Sequence, residues 1–251
     1  MTKFVSFKVV IPARFASTRL PGKPLLKLCE MPMYWHVVQQ VLNAGFDIDD
    51  IVLATDDQRI FDSAVRFSVP VLMTRSDHSS GTDRLNEVAS IYSWPDETLV
   101  FNVQGDEPMI PSLLIKQLKS FAESVSTFDV YTAITHLKSH EDAINPNVVK
   151  VALGESNRAI YFSRAAIPFH RDDMNCLLDV YKHIGVYAYS VRTLRKLCSF
   201  PTSALERHEK LEQLRALSNG LTIGTTVFHG LINHGVDTYS DYEKIKSLME
   251  K

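Results

Sequence analysis

Short apolar runs that end in polar clusters recur along the first half of the chain. Residues 8–11 break into Pro12 and a basic loop, and residues 50–55 run into Asp56-Asp57. Residues 69–73 precede a polar stretch from Thr74 to Arg84, and residues 98–103 end in Gln104-Gly105-Asp106-Glu107-Pro108. Runs of this kind, rich in Val, Ile and Leu and bounded by proline or polar residues, read as strands buried on both faces. Between them, residues 33–44 place Met33, Trp35, Val37, Val38, Val41 and Leu42 close to a helical stripe, with Gly45 as a stop. Residues 59–67 and a segment ending at Ile91 read as two more helices. Strands alternating with helices predict an α/β fold with a mainly parallel, doubly wound sheet. In such sheets ligands collect beyond the carboxyl ends of the strands, where the polar clusters lie.

After residue 127 the rhythm changes. Residues 129–135, 148–153, 159–162 and 184–189 read as strands separated by longer polar segments, either an antiparallel extension of the sheet or a smaller lobe. Residues 205–217, with Leu205, Leu211, Leu214 and Leu217, predict a single helix. Residues 222–228 predict a last strand, and a terminal helix starts near Asp241. The expected division is a nucleotide-binding α/β unit over 1–127, a smaller lobe over 128–220 and a return to the first unit over 221–251. Neither an internal repeat nor a low-complexity linker is visible.

A chain of 251 residues can bury a full core, and its composition, 45% hydrophobic and 22% charged, is that of a globular protein. The formal net charge of -2 argues against bulk electrostatic binding to nucleic acid or anionic membrane. The cations clustered between Arg14 and Lys23 therefore serve a local purpose. Cys29, Cys176 and Cys198 form no C-x-x-C pair, which points to a reducing compartment without a disulfide framework or zinc site. No apolar stretch approaches the roughly 20 residues that span a bilayer, and the first strand leaves no room for a signal peptide. Cytoplasmic residence is the expectation.

Arg14, Arg19 and Lys23, with Ser17 and Thr18 between them, follow a strand tip in the layout of a polyphosphate-binding loop. The loop is neither a Walker A sequence nor G-x-G-x-x-G, since its only glycine is Gly22, so side chains supply charge that backbone amides supply in those motifs. Its alternative is a solvated basic loop. Asp106, just past a buried strand, suits Mg²⁺, which takes hard oxygen ligands and shares its shell with phosphates; a plain Gly-Asp turn is the other reading. Asp237 either joins it or caps a terminal helix. Arg164 sits among apolar neighbours as an internal ion pair or a carboxylate clamp. The alternation of residues 181–189 puts His183, Gly185, Tyr187 and Tyr189 on one strand face, a lining fit for a sugar. Glu212 and Gln213 face core, solvent or ligand.

Together these segments resemble, in order and spacing, the bacterial CMP-Kdo synthetases, the 3-deoxy-manno-octulosonate cytidylyltransferases of lipopolysaccharide biosynthesis. The likeness covers residues 12–23, Ser80-Gly81-Thr82-Asp83-Arg84, 104–108, 161–168, 183–189, 211–215 and 235–238, nearly the whole chain. It implies the nucleotide-diphospho-sugar transferase type of fold, and CTP and Kdo as substrates. Arg14, Ser17, Arg19 and Lys23 would hold the triphosphate, and Arg75, Ser80 and Gly81 would lie against cytosine. Asp106 and Asp237 would bind magnesium, with Arg14 and Lys23 completing the catalytic set. Gln104, Arg164, His183, Tyr187, Glu212 and Gln213 would form the sugar-acid pocket, Arg164 taking the carboxylate. The resemblance also implies a homodimer joined through the smaller lobe. An acidic-sugar cytidylyltransferase for 8-amino-Kdo or sialic acid is the alternative within the same chemistry, and a non-catalytic nucleotide-binding regulator is the alternative outside it. The chain departs from the family at Cys29-Glu30-Met31-Pro32-Met33, where a Gly-Lys-Pro-Met turn is usual, and in a shortened segment over 169–179.

Overall fold

The computed structural model describes residues 4–16, 19–78, 80–173 and 176–250. In chain order the strands and α-helices are β1 (Ser6–Ala13), β2 (Lys27–Leu28), β3 (Met31–Pro32), α1 (Met33–Asn43), β4 (Ile51–Thr55), α2 (Gln58–Arg66) and β5 (Val71–Met73). They continue through α3 (Gly81–Ile91), β6 (Thr98–Asn102), α4 (Ser112–Ser124), β7 (Val130–His136), α5 (His140–Ile144), β8 (Lys150–Leu153), β9 (Ala159–Ser163) and β10 (Tyr181–Ser190). The remainder is α6 (Val191–Ser199), α7 (Ala204–Glu209), α8 (Gln213–Ser218), β11 (Ile223–Val227) and α9 (Tyr239–Met249).

One sheet carries the order β11-β7-β10-β6-β1-β4-β5. β1 pairs in parallel with β4 on one side and β6 on the other, and β5 extends the parallel run beyond β4. β10 is antiparallel to both β6 and β7, and β11 is parallel to β7. Only β10 on this path runs against the rest, so the carboxyl ends of β1, β5, β6, β7 and β11 share one edge. The chain leaves β1 toward β4 and later returns to its other side as β6. The crevice between β1 and β6 is thus a topological switch point, where α/β sheets bind ligands. β7 and β10, from the segment over 128–220, lie within this main sheet, while β8 pairs with the start of β10 and with β9 as a projecting antiparallel extension.

Apolar residues alternate to both faces of β1. Val9 and Ile11 join a core with Val37, Val41, Leu114 and Leu118 of α1 and α4. Val10 joins Leu85, Val88 and Leu194 of α3 and α6 on the opposite side. A strand covered on both faces must be apolar throughout, the signal visible in residues 8–11. The helices α4 and α6 fall in stretches to which the hydrophobic pattern assigns no element. A third cluster, Leu28, Met33, Val236, Tyr242 and Ile245, ties α9 back onto the amino-terminal hairpin. That hairpin turns through Cys29 and Glu30 at φ 45° and 64°, in the left-handed region that glycine adopts most readily.

The single helix expected over 205–217 is two helices. α7 stops at Lys210, which adopts φ 53°, and α8 begins at Gln213. The break is held by a buried pair in which Arg215 Nε and Nη2 donate to Glu206 Oε2 and Oε1 at 2.9 and 2.6 Å. It also lets Leu211 and Leu214 both enter the core while Glu212 turns toward the sheet edge.

Candidate active site

Four loops meet at the carboxyl edge of the sheet, following β1, β5, β6 and β11. The loop after β1 brings Arg14, Arg19 and Lys23, that after β6 brings Asp106, and that after β11 brings Asp237. Close approaches fix their positions. A Cβ on Gly105 would lie 2.8 Å from the Pro12 carbonyl oxygen, so only glycine lets the β6 loop pass against the end of β1. Gly235 is similarly pressed on the Asp106 carbonyl, and the Val236 amide donates to that same oxygen at 2.8 Å. Asp237 is thereby delivered beside a residue far away in sequence.

Lys23 is the hub. Its Nζ donates to Asp106 Oδ2 at 2.5 Å and to Asp237 Oδ1 at 3.5 Å, while Arg19 Nη2 donates to Asp237 Oδ1 at 3.0 Å. Lys23 is nearly buried and Asp106 is one-third exposed, so this pair feels more of its own field than a surface ion pair does. Asp237 does not cap α9; Thr238 does, in a capping box with Asp241. Two hard carboxylates face one another across a single ammonium. That donor set suits Mg²⁺, which commonly takes one or two carboxylates and completes its shell with water and phosphate oxygens. No group of three or more His, Cys, Asp or Glu side chains poised for a metal is found among the described residues.

Arg14 has a supporting position, its Nη2 donating to the carbonyls of His78 and Ser80 at 3.0 and 2.9 Å. It thus ties the β1 loop to the loop that opens α3. Ser80 caps α3 in a capping box with Asp83, which presents Gly81 at the helix start. Pro12, Arg14, Lys23, Gly81, Gln104 and Asp106 line a cavity of about 230 Å³. A second cavity of about 170 Å³ is lined by Gln104, Tyr187, Glu212 and Gln213 together with Gly81 and the strand residues below them. The two share Gly81 and Gln104. Burial raises the carboxyl of Glu212 above the usual range and lifts the Tyr187 phenol well above its own.

Three expected site residues lie apart from these cavities. Arg75 lines a separate polar cavity with His78, Asn86 and Glu87, and pairs with Asp77 at 3.1 Å. His183 sits between Phe162 and Tyr187, bonded to the Thr132 hydroxyl at 3.0 Å, and burial lowers its pKa to about 3, so it is neutral near pH 7. Arg164 spends its guanidinium on backbone: Nε donates to the Glu209 carbonyl at 2.6 Å, Nη1 to Pro146 at 2.7 Å, and Nη2 to Lys210 at 3.5 Å. Here it braces β9 against the end of α7. Arg164→Ala is expected to lower Tm by several degrees in a thermal melt, since three carbonyls lose their donor. An unchanged Tm with a selective rise in the sugar KM would instead make Arg164 a ligand clamp. Ser17, expected on the triphosphate, lies outside the described residues.

Residues 8–223 match the family described as Cytidylyltransferase. The chain belongs to that family. It is 42% identical over 250 residues to the 3-deoxy-manno-octulosonate cytidylyltransferase of Thioalkalivibrio sulfidiphilus, covering 98% of this chain and 99% of that one. It is 40% identical over 256 residues to the enzyme of the same name from Haemophilus influenzae, with 98% and 99% coverage. Among solved structures, CMP:2-keto-3-deoxy-manno-octonic acid synthetase complexed with CTP superposes with a TM-score of 0.90 at 38% identity, over 98% of each chain.

This cytidylyltransferase also carries groups at the site beyond the expected set of site residues. Glu107 is pushed up to about 7 by burial and by Asp106, and Lys182, itself lowered by burial, faces it. A carboxyl whose folded pKa exceeds its unfolded value penalises the fold only where it must ionise, so stability falls as pH rises from about 4.5 to about 7. Glu107→Gln is expected to melt above wild type at pH 8 and with it at pH 4. Equal offsets at both pH values would contradict the assignment. The sequence signal for Glu107 was its place beside Asp106; for Tyr189 it was the strand alternation with Tyr187.

Proposed function

We propose that this protein activates Kdo with CTP, giving CMP-Kdo and pyrophosphate for lipopolysaccharide assembly. The observation that carries the reading is the pair of adjoining cavities sharing Gly81 and Gln104, one bordered by Lys23 and Asp106 and the other by Tyr187, Glu212 and Gln213. A two-substrate transfer needs such a junction, because the attacking oxygen and the α-phosphorus must meet. The nearly full-length likeness to 3-deoxy-manno-octulosonate cytidylyltransferases supports the choice of substrates.

In this account the anomeric hydroxyl of Kdo attacks the α-phosphorus in line as the bond to the β-phosphate oxygen breaks and pyrophosphate departs. Lys23 and Arg19 exchange their carboxylate partners for phosphate oxygens and neutralise charge on the leaving group. Arg14 holds the β1 loop against the start of α3, and Gln104 spans both substrates. Asp106 and Asp237 would hold magnesium, which supplies a Lewis acid for the triphosphate and lowers the pKa of a bound hydroxyl. The enzyme acts in the cytoplasm, where CTP is made; among the described residues no helix is long and apolar enough to cross a membrane. It works as a homodimer, a state favoured by exposed Ile144, Ile160, Phe169 and Leu178 in and around the β8–β9 extension.

The sugar is tested by comparing Kdo, 8-amino-Kdo and sialic acid in a pyrophosphate-release assay with CTP and Mg²⁺. Kdo is expected to give the highest kcat/KM. A higher value for either competitor would reassign the acceptor, and no release with any of the three would revive the regulator.

A further inference from the structure

Five buried side-chain polar atoms have no hydrogen-bond partner among the described residues, and two of them, Tyr189 Oη and Glu212 Oε1, belong to residues lining the smaller cavity. Native proteins leave few such groups, because an unsatisfied buried donor or acceptor costs about 1–3 kcal/mol. Two orphans lining one cavity are most simply explained by a ligand that partners both.

The cavity runs down the sheet face. Tyr187 pairs with Asn102 at the carboxyl end of β6, whereas Tyr189 pairs with Val100, further below that edge. Around Tyr189 the walls are Val130, Leu197, Ala216 and Ile223, with Thr82 and Asn102 as polar neighbours of its hydroxyl. Tyr189 and Glu212 are therefore among the polar groups that meet a ligand pushed past the mouth residues Gly81 and Gln104, and are the two with a buried oxygen that forms no well-aligned hydrogen bond among the described residues. A phenol both donates and accepts, but its buried O–H must find an acceptor, while a carboxylate oxygen needs a donor. A group satisfying both must accept and donate at once, which a hydroxyl does and an ammonium, lacking a lone pair, does not.

Resting on the reading of the enzyme as one that activates a sugar acid, we propose that Tyr189 is a further sugar-binding and specificity-determining residue, its hydroxyl reading, with Glu212, a single hydroxyl of the acceptor. The proximity of Glu212 that raises the Tyr189 phenol further still agrees with the two acting on one group. The site discriminates by leaving buried polar atoms unpaired when the hydroxyl is missing, a strong form of selection.

The test is Tyr189→Phe, assayed for pyrophosphate release with CTP and Kdo and melted without substrate. Because the hydroxyl forms no well-aligned hydrogen bond among the described residues, although Asn102 and Thr82 lie beside it, its removal is expected to leave Tm within a few degrees of wild type. The KM for Kdo is expected to rise about 10- to 100-fold while that for CTP stays within about twofold. Among monodeoxy analogues of Kdo, one is expected to be used equally by wild type and variant, which identifies the hydroxyl that is read. An unchanged KM for Kdo, as when a buried water satisfies both atoms, overturns the proposal. So does a marked fall in Tm with both KM values raised, since the hydroxyl would then be structural. If wild type itself fails to use Kdo while the Tm result holds, it is the acceptor assignment that falls.

Discussion

Asp106→Asn is expected to cut kcat by at least about 100-fold while the protein melts within a few degrees of wild type. The asparagine fills the same volume and still accepts from Lys23, but it removes the negative charge that opposes Lys23 and would hold a divalent cation. Asp106 is one-third exposed, so little buried structure depends on it. The loss should fall on kcat more than on either KM, because charge neutralisation matters most as pyrophosphate leaves. Titrating Mg²⁺ in the assay should show a weaker apparent affinity in the variant. Near-normal turnover would remove Asp106 from the chemistry and leave its contact with Lys23 as a structural ion pair.

The largest effect on stability is expected from Arg215→Met. This guanidinium makes a two-point contact with Glu206 at the junction of α7 and α8, both side chains being about nine-tenths buried. Removing the cation alone leaves a buried carboxylate without its partner, which typically costs about 3–5 kcal/mol, or a fall in Tm of about 10 °C in a chain of this size. Adding Glu206→Leu to the same chain should restore much of the loss, as replacing both ions with apolar groups often does. The residues beside the break, Glu212 and Gln213, line the smaller cavity, which the proposed function gives to the sugar, so any surviving Arg215→Met activity should show a raised KM for Kdo before one for CTP. A single variant as stable as wild type would mean that the break is held by the Lys210 turn and the leucine packing alone.

Much of this architecture was legible in the sequence because buried parallel strands advertise themselves. The runs at 8–11, 50–55 and 98–103 are apolar on both faces and end where a ligand edge begins, and each became a strand of the central sheet. The helix break at Lys210 left no such mark, since lysine carries no preference for the left-handed region and Leu205, Leu211, Leu214 and Leu217 fit an unbroken stripe. The duties of Arg164 were equally hidden. Its neighbours are apolar, yet its partners are carbonyls at Pro146, Glu209 and Lys210, brought to it only by tertiary packing. The loops bearing Lys23, Asp106 and Asp237 could be placed at strand ends, but their convergence on one ammonium depends on the close passages at Gly105 and Gly235.

In the proposed two-substrate junction, a basic loop after β1 and two distant aspartates would hold a cytidine triphosphate beside a sugar acid. The most direct measurement is pyrophosphate release with Kdo and Mg²⁺ across ATP, CTP, GTP and UTP. Release is expected to be fastest with CTP, to depend on Kdo, and to disappear when Mg²⁺ is chelated. Release that proceeds without Kdo, or that favours another nucleotide, would contradict it.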